Sequence, residues 1–587
     1  MLHIEPIQFM KYSIFAFACC LILVSCGGGN DKKQFEFAGG CLTLAVDNEP
    51  STHIPSEVTD IYSNAVLSQI VEGLVSFNPE DLQIQAQLAK KWSISSDGTT
   101  FKFTLRDDVY FHEHPVFTSD DERKMTAEDV QFSIEKACTP NAKGAPTSAF
   151  LSLFSNQLKG ADDFYNKKTT SISGLKVNGN TVELTLIAPD PTYLNKLAQV
   201  NAAIISKKIV KADKETDLIG TGPFKYADFV QGEPDKIILT KNESYYLTDS
   251  KGNALPYLDS VVFMVESRKL EQLELFENGK IQVINTLPTS RIAEMLEGRI
   301  KDFNSEPPLM VLYNNPLLIS NYYFFNMTDP RFQDPRVRQA FNYAINRDQL
   351  TREVLRGQFY ENGIYGVVPP IGSAFKGYDF KGVKQVGYDY DPEKARKLLA
   401  DAGFPGGKGF GSVNLRLNIG DIHSAVAEEI SSQIYQTLGI NVNIDGSSFE
   451  QKDEDADFAR GDMFRTAWVA DYSSPETFLT SFYGKLVPSS KDEASQINQS
   501  RYKNAAFDAY LEQARAANSQ KERYRLFGEA EKELMKDPPL MVLWYANDFQ
   551  LSYSKVRNLK NNPMNLMDLK QVYFKDWTKE EYLKSIQ

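Results

Sequence analysis

The pattern that most constrains the fold is an alternation of strand-like and helix-like segments along the chain. In residues 99–105, apolar Phe101, Phe103 and Leu105 alternate with polar residues, which is typical of a strand with one buried face. Further strands are predicted at 42–46, 181–186, 414–418 and 441–445, and helices at 63–75, 126–137, 334–355, 391–402 and 424–438. This alternation predicts a mixed α/β protein.

Several of the predicted helices carry recognisable end signals. Thr126 and Asp129 stand at the first and fourth positions of a capping-box-like start. Gly403 and Gly439 follow two other helical patterns, where helix C-caps are expected. These signals place the ends of three predicted helices.

Length and charge exclude some classes of protein. The chain has 587 residues, with 64 Lys or Arg against 77 Asp or Glu, so its formal net charge is −13. At roughly 100–200 residues per domain, the length corresponds to about three to five compact units. A nucleic-acid-binding protein needs a basic surface to displace counterions from phosphates, so the acidic balance argues against that class. A single strongly apolar segment, near the N-terminus, argues against a polytopic membrane protein.

The N-terminus is similar to the signal peptide of a bacterial lipoprotein. Met10 and a lysine precede an apolar run at 12–25, which is shorter than the ~20 residues that span a membrane. The run closes on Leu-Val-Ser and Cys26, resembling a lipobox, whose cysteine carries the lipid in such proteins. We therefore predict a signal peptide at 1–25 and a lipid-anchored, flexible tether at 26–40. The alternative is an ordinary signal peptide with an incidental cysteine, and translation could begin at the first methionine or at Met10.

Two cysteines, Cys41 and Cys138, remain after cleavage and acylation. An exported compartment permits a disulfide between them, and two buried free thiols are the alternative. The sequence contains no Cys-x-x-Cys pattern and no Cys/His pairing, so we expect no structural zinc site.

Catalytic and metal-binding patterns are scarce, and we expect neither an enzyme nor a cofactor. No nucleophile elbow, phosphate-binding loop or His-Glu-x-x-His motif occurs. His112 and His114 could converge on a metal if they lay on one strand, but Pro115 follows at once and favours a turn. The aromatic run 322–325 is interpreted as core, with a ligand-lining face as the alternative.

Eight short motifs follow one another from about residue 42 to the C-terminus. They lie at 87–106, 109–130, 220–224 (Gly-Thr-Gly-Pro-Phe), 241–246, 334–347, 391–404, 468–479 (beginning Trp-Val-Ala-Asp-Tyr) and 537–544. In this order they resemble the motifs of the bacterial ABC-importer solute-binding proteins of family 5, the oligopeptide, dipeptide and nickel class.

The resemblance implies a two-lobed clamshell of the periplasmic-binding-protein type (type II, cluster C) with an extra inserted domain. Lobe I would consist of 41–88, 206–305 and 546–587. The inserted domain II would occupy 89–205, and lobe III would occupy 306–545. Two crossovers would form a hinge, and the ligand would bind in the cleft between the lobes.

The resemblance also implies a ligand site on the Trp-Val-Ala-Asp-Tyr segment, with Asp471, Arg465, Trp468 and Tyr472 as candidate ligand-binding residues. Asp471 occupies the position that pairs with the α-amine of a bound peptide in the family's peptide binders. Arg465 stands where some relatives place an arginine facing the ligand carboxylate, which arginine can bind bidentately. The alternatives are that Asp471 caps a turn and that Arg465 is structural or solvated.

The implied function is a peptide receptor, expected as a monomer, that is held at a membrane by its lipid and faces the periplasm or the cell exterior. It would deliver oligopeptides to the permease and ATPase subunits of an ABC importer. Two alternatives stay open. The same scaffold could bind a nickel complex, haem or an oligosaccharide, or the chain could be a non-transport chaperone or hydrolase of the envelope.

Overall fold

A computed structural model describes residues 32–585 except 143, 286, 288–291, 357–358, 491 and 518. The predicted signal peptide, Cys26 and the first residues of the predicted tether lie outside the described residues. Among the described residues, none of the helices is both long enough and apolar enough to cross a membrane.

Strands and helices alternate along the described chain. The strands are β1 Cys41–Val46, β2 Val75–Phe77, β3 Ile84–Ala86, β4 Ala89–Ile94, β5 Thr100–Leu105, β6 Leu175–Asn178, β7 Thr181–Thr185, β8 Phe224–Val230, β9 Asp235–Lys241, β10 Ser260–Val265, β11 Val283–Asn285, β12 Met310–Phe325, β13 Glu361–Asn362, β14 Val413–Asn418, β15 Val442–Ser447, β16 Met463–Val469, β17 Leu540–Tyr553, β18 Val556–Arg557 and β19 Tyr573–Phe574.

The helices are α1 Ile61–Leu67, α2 Asp120–Arg123, α3 Ala127–Ala137, α4 Ala161–Tyr165, α5 Tyr193–Leu197, α6 Lys207–Lys211, α7 Lys269–Glu277, α8 Ile292–Gly298, α9 Ile300–Asn304, α10 Pro335–Tyr343, α11 Arg347–Gln349, α12 Phe380–Lys384, α13 Pro392–Asp401, α14 Asp421–Leu438, α15 Phe449–Asp457, α16 Glu476–Thr480, α17 Ala505–Ala516, α18 Gln520–Lys536 and α19 Lys579–Ser585. The predicted mixed α/β class is confirmed.

One mixed sheet runs through both lobes. Its order is β15-β14-β16-β12-β17-β11-β1-β10-β9-β8, with β13 paired to β17. We call the part around β1 and β8–β11 lobe I and the part around β13–β16 lobe III. A four-stranded antiparallel sheet, β4-β5-β7-β6, forms the inserted domain, and its apolar core continues into neighbouring residues of lobe I such as Tyr245 and Tyr257. The residue boundaries predicted for these units stay a prediction.

Two long antiparallel strands, β12 and β17, connect the lobes. In lobe I, Met310 pairs with Tyr553, and in lobe III, Phe324 pairs with Leu540. The register shifts between Pro316 and Ser320, where proline cannot donate a ladder hydrogen bond. The sheet therefore has an irregular junction at the place where the two lobes meet.

The aromatic run 322–325 is buried on both faces of β12. Tyr322 and Phe324 join one apolar cluster of lobe III, and Tyr323 and Phe325 join the other. This confirms the interpretation of the run as core.

Two predicted helices are shorter than their apolar patterns suggested. The predicted helix 334–355 is interrupted after Tyr343, because Asn346 acts as a new N-cap whose side chain accepts from the Gln349 N–H. The helix predicted at 63–75 ends at Leu67. The Ile70 carbonyl accepts from Gly222 N–H instead of from a helical amide. The predicted capping box at Thr126 is confirmed.

The end of the predicted tether, residues 32–40, packs against lobe I rather than extending freely. Lys33 N–H donates to Gly252 O at 3.0 Å, and Gly39 N–H donates to Tyr257 O at 2.7 Å. The Phe35 ring stacks on Tyr257 with centroids 4.1 Å apart. Aromatic side chains within the segment explain the difference, because they gain buried apolar contact on the fold.

The disulfide considered between Cys41 and Cys138 is not formed, and both cysteines are free thiols. Cys41 is exposed at the start of β1 in lobe I. Cys138 caps α3 and lies inside the apolar core of the inserted domain. The two thiols therefore belong to different parts of the fold, one on the surface and the other in a core.

Candidate functional site

An open cleft of about 600 Å³ lies between the lobes. One wall belongs to lobe I and is formed by residues in and around α1, between 58 and 73, and by residues 564–570. Residues 198–201 reach it from the inserted domain, and residues 469–471, at the end of β16, reach it from lobe III. A solute in this cleft would contact both lobes.

Asp471 lies on the cleft wall, and a hydrogen-bonded threonine orients it. The Thr477 hydroxyl donates to Asp471 Oδ2 at 2.9 Å and accepts from the Asp471 N–H at 3.3 Å and from Trp468 Nε1–H at 3.1 Å. Among the described residues, Oδ1 has no hydrogen-bond partner and no cation lies within ion-pair distance of the carboxylate.

The electrostatic environment of Asp471 leaves room for an added cation. Its side chain is exposed to solvent in the cleft. Neighbouring protein atoms still desolvate the carboxyl and raise its pKa, and the Thr477 hydrogen bond and the field of Lys196 oppose that shift. The Lys196 ammonium is itself bound to Asp190 at 2.7 Å. Binding an ammonium group at Asp471 would offset the desolvation.

Arg465 and Trp468 face a second pocket of about 240 Å³ and not the main cleft. The Arg465 guanidinium donates to the side-chain oxygens of Asn418 at 3.2 Å and Asn321 at 3.4 Å. Among the described residues it has no carboxylate within ion-pair distance, and burial lowers its pKa. The pocket also contains the Lys452–Asp453 ion pair, so Arg465 is a second cation there, and it has no ion-pair partner among the described residues.

Tyr472 is buried and lies behind the cleft wall. Its exposure is 7%, and its hydroxyl faces Thr192 of the inserted domain. Of the four predicted ligand-binding residues, the structure therefore brings Asp471 to the main cleft and places Arg465 and Trp468 in the neighbouring pocket. Tyr472 lies at a contact between lobe III and the inserted domain.

A buried carboxylate on the opposite wall of the cleft, Glu72, was missed by the sequence analysis. Its oxygens accept from the hydroxyls of Tyr245 (2.7 Å), Tyr246 (3.3 Å) and Thr221 (2.9 Å) and from the Gln87 amide (2.8 Å). Desolvation raises the pKa of Glu72, and these donors oppose that shift. The donors belong to the motifs at 87–106, 220–224 and 241–246. These motifs were the sequence signal that could have pointed to Glu72.

The Gly-Thr-Gly-Pro-Phe motif contributes close packing as well as the Thr221 hydroxyl. A Cβ at Gly220 would stand 2.0 Å from Ile70 O, and one at Gly222 would stand 2.6 Å from the same atom. The two glycines therefore let the motif lie directly on the backbone below Glu72.

His112 is held by this same motif and not by a metal. Its Nδ1 accepts from Gly220 N–H at 3.3 Å, and its Nε2 donates to Gly222 O at 3.0 Å. Burial lowers its pKa to about 4, so the imidazole is neutral. His114 pairs with Asp217 instead. Within the described residues, no group of three His, Cys, Asp or Glu side chains could hold a metal ion.

Two lobes joined by continuous strands, with an open cleft between them whose wall carries a carboxylate that has no ion-pair partner among the described residues, define a solute-binding protein of the periplasmic-binding-protein type. The sequence model of the bacterial extracellular solute-binding proteins, family 5, matches residues 83–489. The chain belongs to this family.

Relatives of the chain bind different solutes. The dipeptide-binding protein DppE of Bacillus subtilis is 25% identical over 565 residues, covering 92% of this chain and 93% of DppE. Heme-binding protein A of Haemophilus influenzae is 24% identical over 520 residues, covering 85% of this chain and 86% of that protein. The structure of the binding protein DppA of Helicobacter pylori with the peptide STSA has a TM-score of 0.73 at 26% identity, covering 92% of this chain and 99% of DppA.

Proposed function

We propose that this protein is the peptide receptor of an ABC importer and that it captures oligopeptides in the interlobe cleft. The observation that carries the proposal is Asp471, which lines the cleft and whose Oδ1 has no hydrogen-bond partner among the described residues. A peptide ammonium supplies the missing charge. In a closed cleft with little water, such a pair both orients the ligand and discriminates against ligands without an amine.

The proposal gives Arg465 the carboxylate end of a ligand that extends from Asp471 in the cleft into the neighbouring pocket. Its guanidinium binds only amide oxygens among the described residues, so an entering carboxylate would be its first anionic partner. Trp468 would contribute an aromatic wall to the same pocket. For Tyr472, we propose an indirect role at the contact with the inserted domain, since it is buried.

The proposal also includes a lipid anchor at Cys26, with the folded chain facing the periplasm or the cell exterior. The support is the sequence Leu-Val-Ser-Cys at the end of the apolar run. Two or more acyl chains hold a protein stably at a membrane, whereas a single chain does so only marginally. There the receptor, as a monomer, would deliver its ligand to the permease and ATPase subunits. A Cys26→Ser protein that still fractionates with membranes, fully processed, would contradict the anchor.

Another solute on the same scaffold is the second candidate, favoured by the relative that binds heme. Haem, nickel complexes and oligosaccharides need no partner for an α-amine, so an unpaired Asp471 favours peptides over them. An enzymatic or chaperone role has no comparable support among the described side chains or the relatives compared.

The experiment that tests the function combines native mass spectrometry of the purified protein with calorimetric titration of defined peptides. We expect co-purified peptides, and binding that raises the melting temperature because ligand binds only the native state. Small-angle scattering should show a smaller radius of gyration with peptide, because only the closed state contacts ligand from both lobes. Co-purified haem or sugar, with no response to peptides, would overturn the proposal.

A further inference from the structure

The N-terminal segment 32–40 is bound to lobe I along its whole length. Ala254 N–H donates to Lys33 O at 2.8 Å, and Asp259 N–H donates to Gly40 O at 2.9 Å. We call residues 32–40 the docked segment. It runs alongside residues 252–259 and continues directly into β1, which pairs in parallel with β10 from Cys41 onward.

Side chains hold the docked segment as well as main-chain hydrogen bonds. Phe35 and Phe37 both contact the Tyr573 ring, with centroids 4.9 and 6.0 Å apart, and the Lys575 ammonium lies 4.7 Å from the Phe37 centroid. The Lys32 ammonium donates to the Tyr245 carbonyl. Aromatic contacts of this kind stabilise a docked segment beyond the effect of the apolar area that they bury.

This docking has a consequence for the position of the lipid anchor, which rests on the proposed acylation of Cys26. Six residue steps separate Cys26 from Lys32, so the acylated residue lies at most about 22 Å from Lys32. If the segment were free as far as Gly40, the reach would be about 50 Å. A chain of this size has a radius of gyration of about 25 Å even when compact, so the docked anchor cannot reach the far side of the molecule.

We infer that lobe I is the membrane-facing lobe and that its surface around Lys32 and the 249–253 loop is held against the lipid headgroups. The partner of this surface is the bilayer to which the acylated chain is attached. Lobe III, which is joined to lobe I through β12 and β17, then moves relative to the anchored lobe when the cleft closes. Docking of the segment thereby fixes which lobe is stationary.

The test places acylated protein in vesicles that carry a headgroup-linked nitroxide quencher. Exposed Cys41 is first changed to serine, and a fluorophore is then attached through Lys251→Cys, in the loop beside Lys33, or through Lys397→Cys, on α13 of lobe III. We expect several-fold stronger quenching at position 251 than at 397. The double variant Phe35→Ala/Phe37→Ala should reduce the difference, whereas the control Glu36→Ala, an exposed residue of the same segment, should preserve it.

Two outcomes would overturn the inference, and flotation separates them. Protein that does not float with the vesicles would refute the lipid anchor and this inference with it. Protein that floats but is quenched equally at 251 and 397 would refute the orientation alone and leave the proposed function intact. The comparison of the two probes in the unaltered segment decides the matter even if the double variant folds poorly.

Discussion

Two carboxylates on opposite walls of the cleft, Glu72 and Asp471, are used in different ways. Glu72 accepts four hydrogen bonds, so its oxygens are occupied by the fold. Asp471 lines the cleft and, among the described residues, receives one side-chain hydrogen bond, on Oδ2. A buried charge is tolerated when its partners are supplied. This difference is the reason for proposing Asp471, and not Glu72, as the carboxylate that binds the ligand.

The largest expected effect is on binding, through Asp471→Asn. The substitution keeps the shape and an oxygen for Thr477 but removes the charge, so a peptide ammonium at this position would meet a neutral amide in place of a carboxylate. Breaking a buried pair in this way costs roughly 3–5 kcal/mol, or about two to three and a half decades in Kd. Calorimetric titration of a zwitterionic peptide measures it.

N-acetylation of the peptide supplies the control for this variant. Acetylation should cost the wild-type protein a similar free energy, and the two changes together should cost much less than their sum, because no charge is left for Asp471 to meet. Additive losses would mean that Asp471 acts structurally, like Glu72.

A third carboxylate, Glu531 in the interior of lobe III, sharpens the comparison through pH. It accepts from Val368 N–H and the Tyr378 hydroxyl, both at 2.7 Å, and its fewer donors leave desolvation to raise its pKa from 4.5 to about 7. The folded state therefore retains a proton that the unfolded state has lost between these values. The contribution of Glu531 to the free energy of unfolding is fully present below about pH 4.5. It is lost as the pH rises from there through 7, by about 3 kcal/mol in all.

Urea unfolding at a series of pH values from 4.5 to 8 measures this dependence. Glu531→Gln cannot ionise, so its free energy of unfolding should fall less steeply with pH than that of the wild-type protein. Parallel pH curves for the two proteins would show that the Glu531 proton is not linked to folding.

Arg465 tests whether the second pocket also awaits a ligand. A hydrogen-bonded charged group contributes about 1.5–3 kcal/mol, so Arg465→Gln should weaken binding of a free-carboxylate peptide by about one to two decades. A C-terminally amidated peptide should bind the variant and the wild-type protein with similar affinity. Equal losses for both peptides would assign Arg465 to the support of Asn418 and Asn321.

Glu72→Gln should lower stability and leave peptide affinity nearly unchanged, whereas Asp471→Asn should lower peptide affinity. An amide NH₂ in place of one oxygen would face a donor, and each unsatisfied group costs about 1–3 kcal/mol of stability. Urea unfolding measures the stability of the variant, and calorimetric titration measures its peptide affinity. Glu49→Gln, at an exposed position, is the control. A loss of affinity with unchanged stability would place Glu72 in the ligand site.

The sequence predicted the strands and helices well where the pattern was local. The capping box at Thr126 and the strand of alternating Phe101 and Phe103 depend on neighbours in the chain, so they can be read from it. The break at Asn346 depends on a competing cap, and the early end of α1 depends on Gly222, more than 150 residues away. Such distant partners leave no trace in periodicity.

The candidate site was predictable only in part, for the same reason. The motif around Asp471 identified the carboxylate that lies on the cleft wall. Glu72 is surrounded by donors that are scattered from Gln87 to Tyr246 and converge only in the fold. Arg465 and Asp471 lie only six residues apart in the sequence, which suggested a shared site. In the fold they face different cavities.

The smallest expected effect concerns a side chain that serves neither the fold nor the ligand. Cys41 is exposed, and its Sγ lies 3.9 Å from Thr43 Oγ1. A surface substitution of this kind changes stability by no more than about 0.5 kcal/mol, so Cys41→Ser should unfold in urea like the wild-type protein. A reducing agent should also leave the melting temperature unchanged. If Cys41 were instead bridged to Cys138, either treatment would remove a closure that contributes about 2–5 kcal/mol, and a thiol titration of the denatured oxidised protein would find the two thiols missing.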